Sequence, residues 1–186
     1  MTTAETPPTV EALRALLPEA AKDIKLNLQS ILSGPGSLTN DQKWGVAIAS
    51  AIASRSEPLR AALVSDSAVA GVEAKVVEDA KAAAAITSMN NIYYRFRHMI
   101  GKQTYSDKPA RLRMNRLSSP TTTRADLELF SLAVSAIHGC ERCVRAHEEA
   151  VLERGISEDQ VHDTIRLAAV IHGAAVALDE VVRGPR

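Results

Sequence analysis

The chemistry-bearing residues cluster in His138-Gly139-Cys140-Glu141-Arg142-Cys143-Val144-Arg145-Ala146-His147-Glu148, which holds the only two cysteines of the chain. On a helix, Cys140 and Cys143 are related by i, i+3 and Cys143 and His147 by i, i+4, so two thiols and a base lie along one stripe. Helix N-termini, a nearby proton acceptor and a Cys-x-x-Cys neighbour all lower a cysteine pKa, and the thiolate is the nucleophile. Gly139 can end one helix and open the next, which would place the pair in a first turn rich in free N–H groups. The chemistry this pattern suggests is thiol redox.

Each residue also has a plainer reading. Zinc would need two ligands beyond the cysteines, for which His147 with Glu128 or His138 are the candidates, but no second ligand pair exists to tie another segment to the first. His147 fits either a proton-transfer role or an ordinary half-exposed helical histidine. Glu128 lies in the otherwise apolar stretch from Ala125 to Ile137, and the residues alone favour an acid that faces solvent or serves the first helical turn. Arg142 and Glu141 read as solvated, although the Arg142 charge would favour a thiolate. His98, His138, His162 and His172 have no distinguishing spacing and read as structural.

The elements that must position these groups are helical. Apolar residues make up 46% of the chain and aromatics 3%, a mixture dominated by Ala, Leu, Val and Ile that suits closely packed helices. No run shows strict alternation, so the expected fold is all-α, a single domain over 1–186 with about eight or nine helices. Helices are expected from Val10 to Leu17, from Glu19 to Leu32, and from a Thr39–Gln42 capping box to about Ser54. Others are expected from Pro58 to about Val64 and from Ala70 to Met89, with Asn90-Asn91 as a possible break before Ile92 to Ile100. Gly101 to Thr123 reads as the longest loop. Thr123 caps the next helix, the Cys140 helix ends at Gly155, and a Ser157–Gln160 capping box opens a last helix to about Val182.

The chain also resembles itself. Ser50-Ala51-Ile52 recurs as Ser135-Ala136-Ile137, and Lys81 to Ile86 matches Arg166 to Ile171, both at an offset of 85 (135 − 50 = 85). Two similar halves are expected, approximately 39–101 and 123–182. At that offset Cys140 and Cys143 fall opposite Arg55 and Pro58, so only the second half carries thiols.

Lys and Arg total 22 and Asp and Glu total 22, so there is no net field to favour nucleic acid or an anionic membrane. The N-terminal residues show no basic region followed by an apolar segment. The longest apolar run, Leu167 to Leu178, is interrupted by His172 and is too short to span a bilayer. A cytoplasmic location is expected, where paired cysteines at this spacing are catalytic or metal-binding rather than a static staple.

The segment from Leu127 to Glu148, with Glu128, Cys140, Cys143 and His147 in place, resembles the active-site segment of the AhpD alkyl hydroperoxidase family, within the carboxymuconolactone decarboxylase-like superfamily. Leu17 to Leu28, Met89 to Arg95 and Leu112 to Asn115 resemble the same family, so the likeness covers nearly the whole chain. It implies an all-helical protomer with an internal repeat, assembled as a homotrimer, that reduces alkyl hydroperoxides. It implies re-reduction by dihydrolipoamide on a lipoylated acyltransferase subunit, with dihydrolipoamide dehydrogenase upstream, and reduction of the peroxiredoxin AhpC. Carried over by position, Cys143 becomes the attacking thiolate that passes through a sulfenic acid. Cys140 becomes the proton donor and resolving thiol that closes a Cys140–Cys143 disulfide, and His147 and Glu128 form the proton relay. The family's best-known members have histidine where this chain has Arg142, which can favour a thiolate but cannot exchange protons near neutral pH. Beside this reading stand a non-peroxidatic electron adaptor between lipoyl groups and a peroxiredoxin, and a metal-binding helical module. A decarboxylase would give no reason for Cys-x-x-Cys.

Overall fold

The computed structural model describes residues 8–183; residues 1–7, which hold most of the polar N-terminal segment, and 184–186 lie outside it. Among the described residues there are ten α-helices, one 3-10 turn at Glu19–Ala21 and no strand. The helices are α1 Val10–Leu16, α2 Lys22–Ser33, α3 Asn40–Ala53, α4 Glu57–Val69, α5 Ala74–Ile100, α6 Gln103–Ser106, α7 Asn115–Ser118, α8 Arg124–Ile137, α9 Glu141–Leu152 and α10 Glu158–Arg183. The all-α expectation stands. The count exceeds eight or nine because α6 and α7 are single turns inside the segment that reads as one long loop.

The centre of the molecule is α3 against α8. Every residue of α3 from Val46 to Ala51 is fully buried, and so is almost all of α8 from Leu127 to Ser135. The two helices approach closely at Gly45, where a Cβ would overlap the Phe130 ring. Around this pair pack α5, α10, α4 and α9, while α1 lies on α4 and α2 on α10. By length and composition α10 could cross a membrane, since the helix extends well beyond its most apolar run. Here Thr164, Leu167, Ala168, Ile171, Ala174 and Leu178 on one of its faces are buried in the core.

Capping chemistry sets where these helices begin. Thr39 and Gln42 form the expected capping box, Thr123 accepts from the Asp126 N–H, and Ser157 accepts from the Gln160 N–H while Gln160 Oε1 accepts from the Ser157 N–H. The caps are also tied to each other. Gln42 Nε2 donates to Asp126 Oδ1 at 3.0 Å and Gln160 Nε2 donates to Gln42 Oε1 at 3.0 Å, which draws the starts of α3, α8 and α10 into one cluster.

The starts of α3, α4 and α5 and those of α8, α9 and α10 repeat in register. Asn40 and Arg124, Glu57 and Glu141, and Ala74 and Glu158 are each 84 residues apart (124 − 40 = 84). The structural spacing is therefore one less than the 85 that the alanine-rich matches indicate, since such segments still align when slipped by one residue. It places Cys140 and Cys143 opposite Ser56 and Leu59 rather than Arg55 and Pro58. Backbone bonds at the helix ends keep the same spacing: Ser56 N–H to Ala51 O and Cys140 N–H to Ser135 O, with Arg55 N–H to Ile52 O and Gly139 N–H to Ala136 O beneath them. Each is a Schellman closure with a left-handed residue, Arg55 at φ 57° and Gly139 at φ 63°.

Two expectations for α5 are corrected. It begins at Ala74 rather than Ala70, because Gly71 turns the chain at φ 76° to close α4. It also runs unbroken through Asn90-Asn91 to Ile100. The Asn91 side chain, 1% exposed, bonds outward to Ser135 and His138 instead of competing with its own helix backbone.

The long connection between α5 and α8 is anchored by Asp79, which is fully buried. Its carboxylate accepts from Thr121 N–H at 2.9 Å, Thr122 N–H at 2.7 Å and both threonine hydroxyls, and it pairs with Arg116. Burial works to raise the Asp79 pKa, but the Thr121 and Thr122 donors outweigh it and hold the group at about 2. A depressed carboxyl contributes stability that is present above its unfolded pKa and lost as pH falls through its folded one.

Asp79→Asn is expected to cost about 2 kcal/mol at neutral pH and to remove the loss of stability that the parent shows between about pH 4 and about pH 2. Denaturant melts across that range would show it, and an unchanged pH profile would refute the assignment. Gly139→Ala is expected to destabilise by about 1 kcal/mol through left-handed strain alone, since no atom lies within 4 Å of the new Cβ. Urea unfolding of the reduced protein isolates that cost from the disulfide.

Candidate active site

The thiols sit where α8 hands over to α9. The left-handed turn at Gly139 closes α8, Cys140 is the residue before the first turn of α9, and Cys143 lies within that turn. The expected junction is thus present, and the pair lies at the start of α9, the end of a helix where backbone N–H groups lack intrahelical partners. Cys140 and Cys143 are joined in a disulfide with Cα atoms 5.2 Å apart. Cys140 is fully buried whereas Cys143 keeps 8% exposure.

That difference matters because Cys143 opens onto a cavity of ≈ 240 Å³ and Cys140 does not line it. Its other walls are Asn90, Asn91 and Tyr94 from α5 and Arg142, Ala146 and His147 from α9. Arg142, expected to be solvated, is exposed and yet borders this cavity. Sequence reasoning did not single out Tyr94, Asn90, Asn91 or Ala146 as site residues. The Asn-Asn pair drew attention only as a possible helix break, although the stretch Met89 to Arg95 lay within the family resemblance.

His147 stands one helical turn beyond Cys143, and its Nδ1 is 2.7 Å from Glu128 Oε2. Both side chains are about one-fifth exposed, at 20% and 19%. Glu128 therefore does not simply face solvent, because the packing of α9 on α8 brings it to His147. Burial works to raise the Glu128 pKa, but the His147 hydrogen bond and charge, with Arg154 and Arg124, hold it below the ordinary carboxylate range. Ionised Glu128 can only accept, so Nδ1 carries the shared proton and Nε2 is left to exchange one.

On the other side of the thiols, Arg95 Nη1 donates to the His138 carbonyl at 2.5 Å, and Asn91 Nδ2 donates to His138 Nδ1 at 3.2 Å. Ser135 Oγ donates to Asn91 Oδ1 at 3.0 Å. Through this chain α5 holds the turn that precedes Cys140. His138, which reads as structural from spacing, is thus a support of the redox turn. Among the described residues no group of three or more His, Cys, Asp or Glu is disposed to hold a metal ion.

Comparison with known proteins agrees with this geometry. The carboxymuconolactone decarboxylase family profile matches residues 104–183, which include α8, α9 and α10. The alkyl hydroperoxide reductase AhpD of Anaeromyxobacter dehalogenans (strain 2CP-C) is 62% identical over 91% of this chain and 90% of its own length. That of Anaeromyxobacter sp. (strain K) is 61% identical over 92% and 91%, and that of Rhodospirillum centenum (strain ATCC 51521 / SW) is 46% identical over 92% and 91%. With identity this high over nearly the full length of these relatives, and with paired cysteines at the start of α9, the chain belongs to the AhpD family of peroxide-reducing oxidoreductases.

Proposed function

We propose that the protein is a lipoyl-dependent thiol peroxidase in which Cys143 attacks the peroxide and Cys140 resolves it. The observation that supports this assignment most directly is that Cys143, not Cys140, borders the cavity shared with His147. The Cys143 thiolate attacks one oxygen of an alkyl hydroperoxide, so an S–O bond forms, the O–O bond breaks and the alcohol leaves with a proton. Cys140 supplies that proton, and the His147–Glu128 pair relays protons between the thiols and solvent. The Cys140 thiolate then attacks the Cys143 sulfenic acid, the S–S bond forms and water leaves. A dihydrolipoyl dithiol reopens the disulfide by two exchange steps, and the lipoyl group takes up the oxidised state.

A mixed cavity wall, with Tyr94 and Ala146 beside Asn90 and Arg142, suits an organic hydroperoxide with an apolar body and a polar reacting end. The reductant in this reading is a lipoylated acyltransferase subunit served by dihydrolipoamide dehydrogenase, and AhpC is a second electron acceptor. The working location is the cytoplasm, where a reducing pool keeps the thiols cycling. Assembly as a homotrimer is part of the same reading. Support for self-association comes from Phe96, Met99 and Ile100, which remain exposed near the end of α5.

Consumption of an alkyl hydroperoxide with dihydrolipoamide as sole reductant tests the cycle. Cys143→Ser is expected to abolish turnover, and Cys140→Ser to stop after one equivalent with a sulfenic acid that a dimedone probe traps. Peroxide consumption retained in Cys143→Ser would sink the assignment. No consumption by the reduced parent, together with rapid reduction of an AhpC disulfide, would favour the electron adaptor instead. For the relay, Glu128→Gln is expected to lower turnover on the order of ten- to a hundredfold and to displace its pH profile. A profile that superimposes on the parent's would leave Glu128 with a structural role only.

A further inference from the structure

Behind the redox turn, where the end of α3 meets α5, lies a separate cavity of ≈ 250 Å³ bordered by Arg55, Arg95, His138, Ser88 and Asn91. Among the described residues no acidic side chain lines it. Arg95 is only partly exposed, and it donates a hydrogen bond to a neutral group, the His138 carbonyl. Arg55 is exposed and also lines a second cleft with Glu57, Asp179 and Glu180, but its side chain forms no hydrogen bond or ion pair among the described residues.

The backbone at Arg55 sharpens the point. Arg55 and Gly139 occupy equivalent left-handed positions 84 residues apart, at φ 57° and φ 63°. Glycine adopts that conformation without strain, and the second half uses it. The first half instead carries a strained arginine that borders the cavity. Strained residues of this kind persist where surrounding structure or function holds them.

We propose that this cavity binds a small oxyanion group, the carboxylate or phosphate of a small molecule, between the guanidinium groups of Arg55 and Arg95. Both present planar donor forks that match such a group. Asn91 adds a donor, since its Nδ2 carries two hydrogens and only one is directed at His138. Burial, more than its neighbours Arg95, Arg55 and His172, lowers the His138 pKa, so the ring beside the site is held toward its neutral form. A bound anion would offset those neighbouring charges and raise it. Because Arg95 also holds the carbonyl two residues before Cys140, occupancy would be felt at the redox turn.

The test is calorimetric titration of the purified full chain with inorganic phosphate and, separately, with acetate, at constant ionic strength and pH. Arg55→Gly suits the left-handed backbone and is expected to fold at least as stably as the parent, while Arg55→Lys keeps a charge. The expected result is saturable binding of at least one probe by the parent, about tenfold weaker in Arg55→Gly and partly restored in Arg55→Lys. Binding of phosphate alone or acetate alone identifies which oxyanion the site takes. At one fixed probe concentration the His138 ring signal in NMR should move to a higher pKa most in the parent, less in Arg55→Lys and least in Arg55→Gly. Absence of binding by both probes, or equal binding by the parent and Arg55→Gly, overturns the proposal. Peroxide turnover is not the readout, so the outcome is independent of the proposed catalytic cycle.

Discussion

The left-handed turn at Gly139 is the constraint on which the redox site depends. It lets the N–H groups of Gly139 and Cys140 return to the last carbonyls of α8, and it redirects the chain so that α9 starts immediately. With this turn, Cys140 is buried at the junction and Cys143 reaches a cavity. One backbone conformation thus separates two chemically identical side chains into an enclosed thiol and an accessible one.

The turn is held from three directions. The core pairing of α3 with α8, tightened at Gly45 and Phe130, fixes the helix that leads into it. From α5, Arg95 and Asn91 grip His138, and Asn91 also reaches back to Ser135 on α8. From α9, His147 returns to Glu128 on α8. The polar groups are satisfied within this network, as buried polar groups must be if they are to add rigidity rather than cost stability. The strength of Asp79 as an anchor serves the same end, since it ties the segment before α8 to the start of α5.

The two halves use one helical plan for different purposes. Each closes its first helix with the same pair of backbone bonds and a left-handed residue. In the second half the position after that residue is Cys140, and in the first it is Ser56, with Leu59 where the other half has Cys143. The thiol chemistry is therefore absent from the first half, while Arg55 adds charge beside the second half's turn. The shared scaffold accommodates both because helix closure is a property of the backbone and leaves the side chains free to diverge.

Much of this molecule was legible in the order of its residues. Capping boxes at Thr39 and Ser157, the N-cap at Thr123 and the Gly139 break locate helix ends because those signals act over a few residues of chain. The i, i+3 and i, i+4 spacing of Cys140, Cys143 and His147 likewise places them on one stripe before any packing is known. The continuity of α5 through Asn90-Asn91 could not be read this way, because it depends on partners in α8 and at His138 that take up the Asn91 side chain. Nor could local spacing alone bring Glu128 to His147, or Tyr94 and Asn90 to the cavity beside Cys143, since those contacts join side chains of separate helices and depend on how the helices pack. Local backbone chemistry determined where helices start, where they stop and which faces carry the thiols. Only the tertiary packing decided which thiol opens to a cavity and which charged groups surround it, because burial and electrostatic environment are properties of neighbours in space.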